Sequence, residues 1–441
     1  MARDNHSFNR QLFFEMKILY VQQHFATGRG EAGVRGYNLV RTLADRGHDV
    51  TVVCGHNWRD QSLQTDGARW VSEREIEGFR VVQIGVFYSN HQSFIKRLWS
   101  FFLFGFLACW QVMRRDADLI FASSTPLTVS IPALFGRIFK VTPYVFEVRD
   151  LWPDLPIEMG IIRNPLVKRV LYLWEWVAYR FAWKLVALAP GIKDVIAQRA
   201  NIDPAHIAMI PNGSDTENLR PLGRATRTHL PIGENVFALG YTGTHGVANG
   251  LDAVLDAAAV LKRRGVKEIA FVLIGDGREK SRLMQRADAE ELDQVCFVGL
   301  FNKAQYNQVL AELDVGMQIL SNVPSFYYGT SPNKFFDYLA VGKPVLVNYP
   351  GWMSDLVTHH DCGVAVPADD AEAFADAVEK LSTERDRCSR MGWAGRALAE
   401  SQFSQQKILA ELAQFIEESP VVKGFRASLA NRKPQPRTED V

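Results

Sequence analysis

The stretch SNVPSFYYGTSPNKFFDYLAVGKPVL, residues 321–346, gathers groups that suit a phosphorylated ligand. Ser331 and Pro332 stand where an N-cap and the first helical residue belong, so the free amides of Asn333 and Lys334 point out of a helix start. Lys334 adds a point charge for a phosphate. Asp337, about one turn on, can approach a hydroxylated group next to that phosphate. The plainer alternative makes Ser331 only a cap and Asp337 a solvated carboxylate, but the Phe335–Phe336 pair beside the acid and the GKPVL that follows favour a ligand. Three glycine-rich loops stand between a strand and a helix start, where backbone amides can approach an anion. They are HFATGRGEAGVRGYN (Gly28, Gly30, Gly33, Gly36), YTGTHGVANGLD (Gly243, Thr244, His245, Asn249) and IGDGREK (Gly275). Each also reads as a turn without ligand contact. The first is not GxGxxG and no acid closes the second strand, so a dinucleotide fold is not supported. In EVRDLWPDLPIEMG, Asp150 either orients an acceptor or caps the next helix. His24, His245 and the pair His359, His360 have no metal spacing, and no DxD-like pair stands near the loops, so no metal is expected.

The elements that must position these groups alternate strand with helix. KILYVQ, DVTVVC, RVVQI, DLIFA, PYVFEV, KLVAL and HIAMI read as buried strands in the first half; VFALGYT, IAFVLI, QVCFVG, DVGMQIL, KPVLVN and GVAVP do so in the second. Helical patterns run over Arg35–Arg46, Asn164–Trp183, Leu251–Arg264, Pro332–Val341 and 402–417. The turn-rich seam Ile210–Glu234 divides two doubly wound domains, 16–213 and 214–402, facing across a cleft at the carboxyl ends of their strands. A C-terminal helix, 403–418, precedes a weakly basic tail, 419–441, read as disordered; residues 1–15 read as an extension or an over-called start. With 441 residues, 47% hydrophobic and 22% charged, at mean hydropathy −0.09, a disordered, collagenous or polytopic membrane chain is excluded. A net charge of +1 supplies no field for nucleic acid. Five scattered cysteines and a polar start imply a reducing compartment and no secretory signal.

The segment Leu98–Met113 is apolar except Ser100 and Gln111, carries Trp99, Phe101, Phe102, Phe104, Phe106 and Trp110, and is bracketed by Lys96, Arg97 and Arg114, Arg115. As a helix it reaches about 24 Å, short of a ~30 Å hydrocarbon core, so it lies along an anionic membrane surface or is buried. The interfacial reading expects Phe101 and Phe104 to face lipid, so that replacing both by Ser abolishes vesicle binding and spares the fold. The other expects them in the core.

In order, the glycine loop after strand one, RGHDVTVV, EVRDLWPDLPIEMG, APGIKDVI, IPNGSD, YTGTHGVANG, VLIGDG and SPNKFFDYLAVGKPVL resemble the family 4 nucleotide-sugar glycosyltransferases of the GT-B fold, over about residues 16–417. DLWP and SPNKFFDYLA are similar to the WbuB-like subgroup of amino-sugar transferases. The resemblance implies two Rossmann-like domains with the C-terminal helix packed back toward the N-domain. It implies a cytoplasmic enzyme, peripheral to the inner face of the plasma membrane. This enzyme moves an N-acetylated amino sugar, with retention and without metal or cofactor, from a UDP-sugar to a lipid-linked or saccharide acceptor of O-antigen or capsule. The family's ribose-holding glutamate falls on Asp337, and its sugar-holding glutamate, eight residues earlier, on Gly329. The diphosphate-clamping Arg and Lys fall on Thr244 and Asn249, which leaves Lys334 as the replacement cation, and the residue near the reacting sugar falls on Arg149. The implied donor site is Gly243, Thr244, His245, Asn249, Gly275, Leu300, Ser331, Pro332, Asn333, Lys334 and Asp337. The implied acceptor site is Gly30, Gly33, Arg35 and Trp152, and the reacting groups are Arg149, Asp150 and Lys334. A sugar-nucleotide epimerase or hydrolase of the same fold and an inactive binding subunit are the alternatives.

Overall fold

The computed structural model describes residues 15–27, 35–56, 63, 70–88, 92–223 and 226–418. Gly28, Gly30, Gly33, the first fourteen residues and the tail 419–441 lie outside them. The N-terminal strands are β1 (Lys17–Val21), β2 (Asp49–Gly55), β3 (Val71–Ile76), β4 (Phe79–Ile84), β5 (Leu119–Ser123), β6 (Tyr144–Val148), β7 (Lys184–Ala187) and β8 (Ile207–Met209). They form one sheet in the order β3-β4-β2-β1-β5-β6-β7-β8, parallel except for the β3–β4 hairpin. The C-terminal strands are β9 (Phe237–Thr242), β10 (Ile269–Ile274), β11 (Val295–Val298), β12 (Val315–Gln318), β13 (Val345–Val347) and β14 (Gly363–Ala365). Their order β11-β10-β9-β12-β13-β14 is parallel throughout. Thirteen of these strands fall on the stretches read as strands from the sequence, because a strand covered on both faces is mostly hydrophobic. The exception is β3: VSEREI is a polar edge strand whose alternate residues stay exposed, so it leaves no such stretch.

The chain steps one way from β1 to β2 and the other way from β4 to β5. Right-handed crossovers therefore put helix Arg35–Asp45 on one face of the first sheet and helices Phe94–Arg114, Ser130–Phe139 and Pro165–Arg180 on the other. Loops at the carboxyl edges of the two sheets meet: Tyr328 lies against Gly191, Leu151 lies against Gly329, and the Ser325 amide donates to Glu158 at 2.9 Å. The chain crosses between domains twice, and the crossings are tied where Ser214 pairs with Ser404. From there helix Gln405–Glu417 returns to the N-domain and packs on Arg35–Asp45, with Glu417 accepting from Arg46 at 2.6 Å.

Helix Phe94–Arg114 is amphipathic in an unusual sense. Phe101 and Phe104 are buried in the N-domain, whereas Trp99 (69% exposed), Phe106 (71%) and Trp110 (62%) point away from it. This overturns the expectation that Phe101 and Phe104 face lipid. At 3.6 residues per turn the segment has two apolar sides, and the N-domain takes the side with Phe101, Phe104 and Ala108, where Gly105 lets the helix approach Thr128 and Ile131. Among the described residues no helix is long and apolar enough to cross a membrane.

Candidate functional site

The C-domain half is built at the carboxyl ends of β9, β10 and β12. Gly243 and Gly275 end β9 and β10 at φ 137° and 142°, a region open to glycine, and their loops stack so closely that a Cβ on Gly275 would lie 2.0 Å from the Gly243 carbonyl. The second loop thus supports the first. The Gly243 amide donates to Ile274, that of His245 to Asp276, and that of Gly275 to Val298, at the same edge where Leu300 stands exposed. Thr244 is exposed, and Asn249 closes a short turn ahead of Gly250.

Facing these loops is the helix Asn333–Ala340. Pro332, in an extended conformation, is its cap residue, so the helix starts one residue later than expected. Ser331 is not the cap. Its hydroxyl accepts from the Asn212 amide at 2.8 Å and so ties the helix to the domain seam. Among the described residues the amides of Asn333 and Lys334 have no partner, and they point out of the helix start. Lys334 folds back under the loop, with Nζ 3.8 Å from the Tyr241 ring centroid and packed against Gly243. No acid pairs with it among the described residues, and withdrawal from water lowers its pKa to about 7. Asp337, one turn on, accepts from the Ser214 hydroxyl at 2.9 Å and from Tyr306 at 3.3 Å. Burial raises its carboxyl to about 7 in spite of those two hydrogen bonds. His245 is fully buried, neither ring nitrogen has a partner among the described residues, and burial, then Lys280, lower it to about 4. At neutral pH it is an uncharged wall of the loop.

Three further residues belong here. Tyr306 and Ser214 hold the two oxygens of Asp337, and Lys280 donates to the Gly275 carbonyl at 2.9 Å. Ser214 and Lys280 lie inside stretches that the sequence singles out, IPNGSD and IGDGREK, whereas Tyr306 sits on helix Lys303–Ala311 with no local signal.

Across the cleft, the N-domain contributes the ends of β1, β5 and β6. Asp150 accepts from Thr125 at 2.7 Å and caps nothing, since the next helix, Asp154–Glu158, starts from Pro153. The Arg149 amide donates to Ser124 at 2.9 Å, and Trp152 is half-buried against the core. Arg149 lies near His24, whose ring is tilted against that of Tyr88 at 4.3 Å between centroids; burial, then Arg149 and Arg97, lower it to about 4. Arg35, an expected acceptor residue, is built into the domain seam. Its guanidinium is buried, and three of its five N–H donors go to Glu147 at 2.9 Å, to the Pro211 carbonyl at 2.6 Å and to the Ile210 carbonyl at 3.0 Å. These bonds anchor the seam.

This layout has known counterparts. Residues 30–213 match the glycosyl transferase 4-like domain and residues 226–398 match the glycosyl transferases group 1 domain. Over 426 residues the chain is 28% identical to the GDP-mannose-dependent alpha-(1-6)-phosphatidylinositol monomannoside mannosyltransferase of Mycobacterium tuberculosis, which spans 91% of this chain and 98% of that one. In fold it resembles sucrose-phosphate synthase from Thermosynechococcus elongatus, with TM-score 0.72, 16% identity and coverage of 94% and 100%. HepE from Anabaena, in complex with UDP and glucose, gives TM-score 0.67 at 18% identity with coverage of 92% and 100%. With two domain matches in tandem, a relative aligned almost end to end and this common architecture, the chain belongs to the family 4 glycosyltransferases of the GT-B fold.

Proposed function

We propose that the chain transfers a sugar from a nucleoside-diphosphate sugar to a lipid-linked saccharide, with 214–402 as the donor side and 16–213 as the acceptor side. The observation that carries this reading is Lys334: a half-buried cation with no counter-ion among the described residues, beside two helix-start amides that have no partner there and a glycine loop. A diphosphate supplies the missing anion, and its binding returns Lys334 toward full charge. Asp337, held by Ser214 and Tyr306, accepts from the ribose hydroxyls.

Breaking the anomeric C–O bond passes through an oxocarbenium-like state while negative charge grows on the diphosphate. Lys334 and the amides of Asn333 and Lys334 are positioned for that charge and need no reorganisation when it forms. The departing phosphate, freed on the face where the acceptor waits, takes the acceptor proton, which gives retention. Arg149, Asp150 and Trp152, with His24, line the acceptor side. No step is assigned to a metal or cofactor.

The motif resemblance adds UDP as the nucleotide, an N-acetylated amino sugar, a surface polysaccharide as product and the inner face of the plasma membrane as the place of work. The Mycobacterium tuberculosis relative, named for GDP-mannose and a phosphatidylinositol monomannoside, supports a lipid-borne acceptor and makes GDP-mannose the rival donor. Contact with the membrane is assigned to 98–113 through the exposed side of that helix.

The deciding experiment incubates the protein with UDP- and GDP-sugars, with and without a lipid-linked saccharide. Nucleotide release only with acceptor supports transfer. Conversion of donor alone means an epimerase or hydrolase, and no turnover with intact nucleotide binding means a binding subunit.

A further inference from the structure

The outer helices of the N-domain are not used by the transfer chemistry, and they form one surface. Gly105 of helix Phe94–Arg114 sits against Ile131 of Ser130–Phe139, and the Phe102 and Trp174 rings lie 5.6 Å apart. The Trp174 indole of Pro165–Arg180 donates to Ser130 at 3.0 Å. Outward from the three helices stand Trp99, Phe106, Trp110, Ile138, Phe139 and Leu173, all exposed. The three helices carry seven lysines and arginines and one carboxylate, Glu175, which is buried and paired with Arg199 at 3.1 Å. A surface helix ordinarily turns mixed charge outward, so a face both apolar and acid-free calls for an occupant.

Between the C-terminal ends of the second and third helices opens a groove of about 870 Å³, walled by Trp176, Phe181 and Trp183, with Arg137 and Arg180 as its charged groups. Among the described residues Arg137 reaches the Val141 carbonyl alone, at 3.4 Å, and Arg180 has no side-chain partner. The next cation, Lys184, is already held by Glu418 at 3.1 Å.

We propose that this groove binds the phosphate of an anionic phospholipid headgroup, while the aromatic face beside it lies in the bilayer interface. Planar guanidinium forks match phosphate, and Trp and Phe suit a layer that is apolar below and wet above. The charge pattern excludes a second copy as the occupant, since a two-fold contact would set one acid-free basic face against another. Each helix begins at the carboxyl edge of the sheet, so Trp99 stands at the cleft mouth and the groove at the distal end. Docked on both points, the molecule holds the cleft against the headgroups. The proposal rests on the lipid-linked acceptor above and adds a second, charge-reading contact to 98–113.

The test is co-sedimentation of the full chain at low salt with phosphatidylcholine vesicles, plain or containing phosphatidylglycerol. Arg137→Ala/Arg180→Ala should partition onto the anionic vesicles about tenfold less than wild type and onto neutral ones equally, since each surface cation near an anionic membrane counts for a few-fold. Trp99→Ser/Phe106→Ser should lose binding to both. Wild-type partition by the arginine variant overturns the site. So does saturable binding of inorganic phosphate without vesicles that the arginine variant lacks, because the groove is then a site for free phosphate. A dimer in solution that Trp99→Ser/Phe106→Ser dissolves assigns the face to a second copy and also overturns it. Turnover with a water-soluble saccharide acceptor is measured in parallel. It should be equal in wild type and arginine variant, and its absence in wild type sinks the transfer reading while leaving the docking result to stand by itself.

Discussion

Arg35 and Lys334 each stand near the start of a helix on the carboxyl side of a sheet; Arg35 is buried and Lys334 half-buried. Each nitrogen of the Arg35 guanidinium donates once, to Glu147 and to two seam carbonyls, so the charge has its counter-ion, and Glu147 is in turn bound by Ser123 at 2.6 Å. Burial pushes the Glu147 carboxyl up, but Arg35, Arg149 and the Ser123 hydroxyl together hold it below its ordinary value. Lys334 has a ring face and nothing anionic. The lesson is a criterion: a buried charge whose partners are complete belongs to the fold, and one left incomplete marks the place of a ligand.

The largest effect should come from Arg35→Ala. It leaves Glu147 buried without its cation and two seam carbonyls without donors, a loss of about 3–5 kcal/mol in a denaturant melt. A loss below about 1 kcal/mol would rank Arg35 with surface pairs and break the contrast.

Next comes Lys334→Ala, expected to lower kcat/KM about 10²-fold or more, on the order of 3 kcal/mol of leaving-group stabilisation. The contrast is sharpened by Lys334→Met, which should raise the unliganded stability by about 1–2 kcal/mol while turnover is lost. Unchanged turnover removes Lys334 from the site.

A smaller change, about tenfold in Kd, is expected for Asp337→Asn on donor and free nucleoside diphosphate alike, since the carboxylate accepts from hydroxyls and does no chemistry. Full affinity for the nucleotide would sink that role.

The two incomplete charges also set a pH dependence. Below about 7 Asp337 protonates, and above about 7 Lys334 loses its charge, so kcat/KM should form a bell near pH 7. Lys334→Arg should remove the alkaline limb even where it lowers the maximum. For stability the signs differ. Asp337, raised in the fold, costs more as pH climbs from the ordinary carboxylate range to 7. Lys334, lowered in the fold, recovers stability from 7 toward the ordinary lysine range. The empty site is therefore least stable near pH 7, and thermal shift by UDP or GDP should be greatest there. A flat profile would contradict both assignments.

The smallest expected effect is none at all: a chelator should leave the transfer rate unchanged, because the leaving charge is met by Lys334. A rate that falls with chelation and returns with a divalent cation would move that role to a metal.

How far the fold was legible depended on burial. The parallel strands of both sheets announce themselves as mostly apolar stretches, because helices cover both faces, while β3 does not, because an edge strand needs no hydrophobic side. The donor site was legible wherever one short stretch carries it: Gly243 and Gly275 lie at strand-to-helix turns, and Lys334 and Asp337 in the first half of helix Asn333–Ala340. Tyr306 was not, since its meeting with Asp337 joins segments 31 residues apart on different helices. Arg35 lies beside a glycine loop in sequence and was read as part of it, but its partners are 112 and 175 residues away.

By itself the sequence determined the order of strands and helices, the division into two halves and the stretches that meet a ligand, because local periodicity, caps and glycine turns are encoded over a few neighbouring residues. The tertiary structure alone decided which charges are answered. It completed Arg35 and left Lys334 open, and it split helix Phe94–Arg114 into a buried side with Phe101 and Phe104 and an outer side with Trp99 and Phe106. Whether a charge has a partner, or an apolar residue a neighbour, is set by segments far apart in the chain.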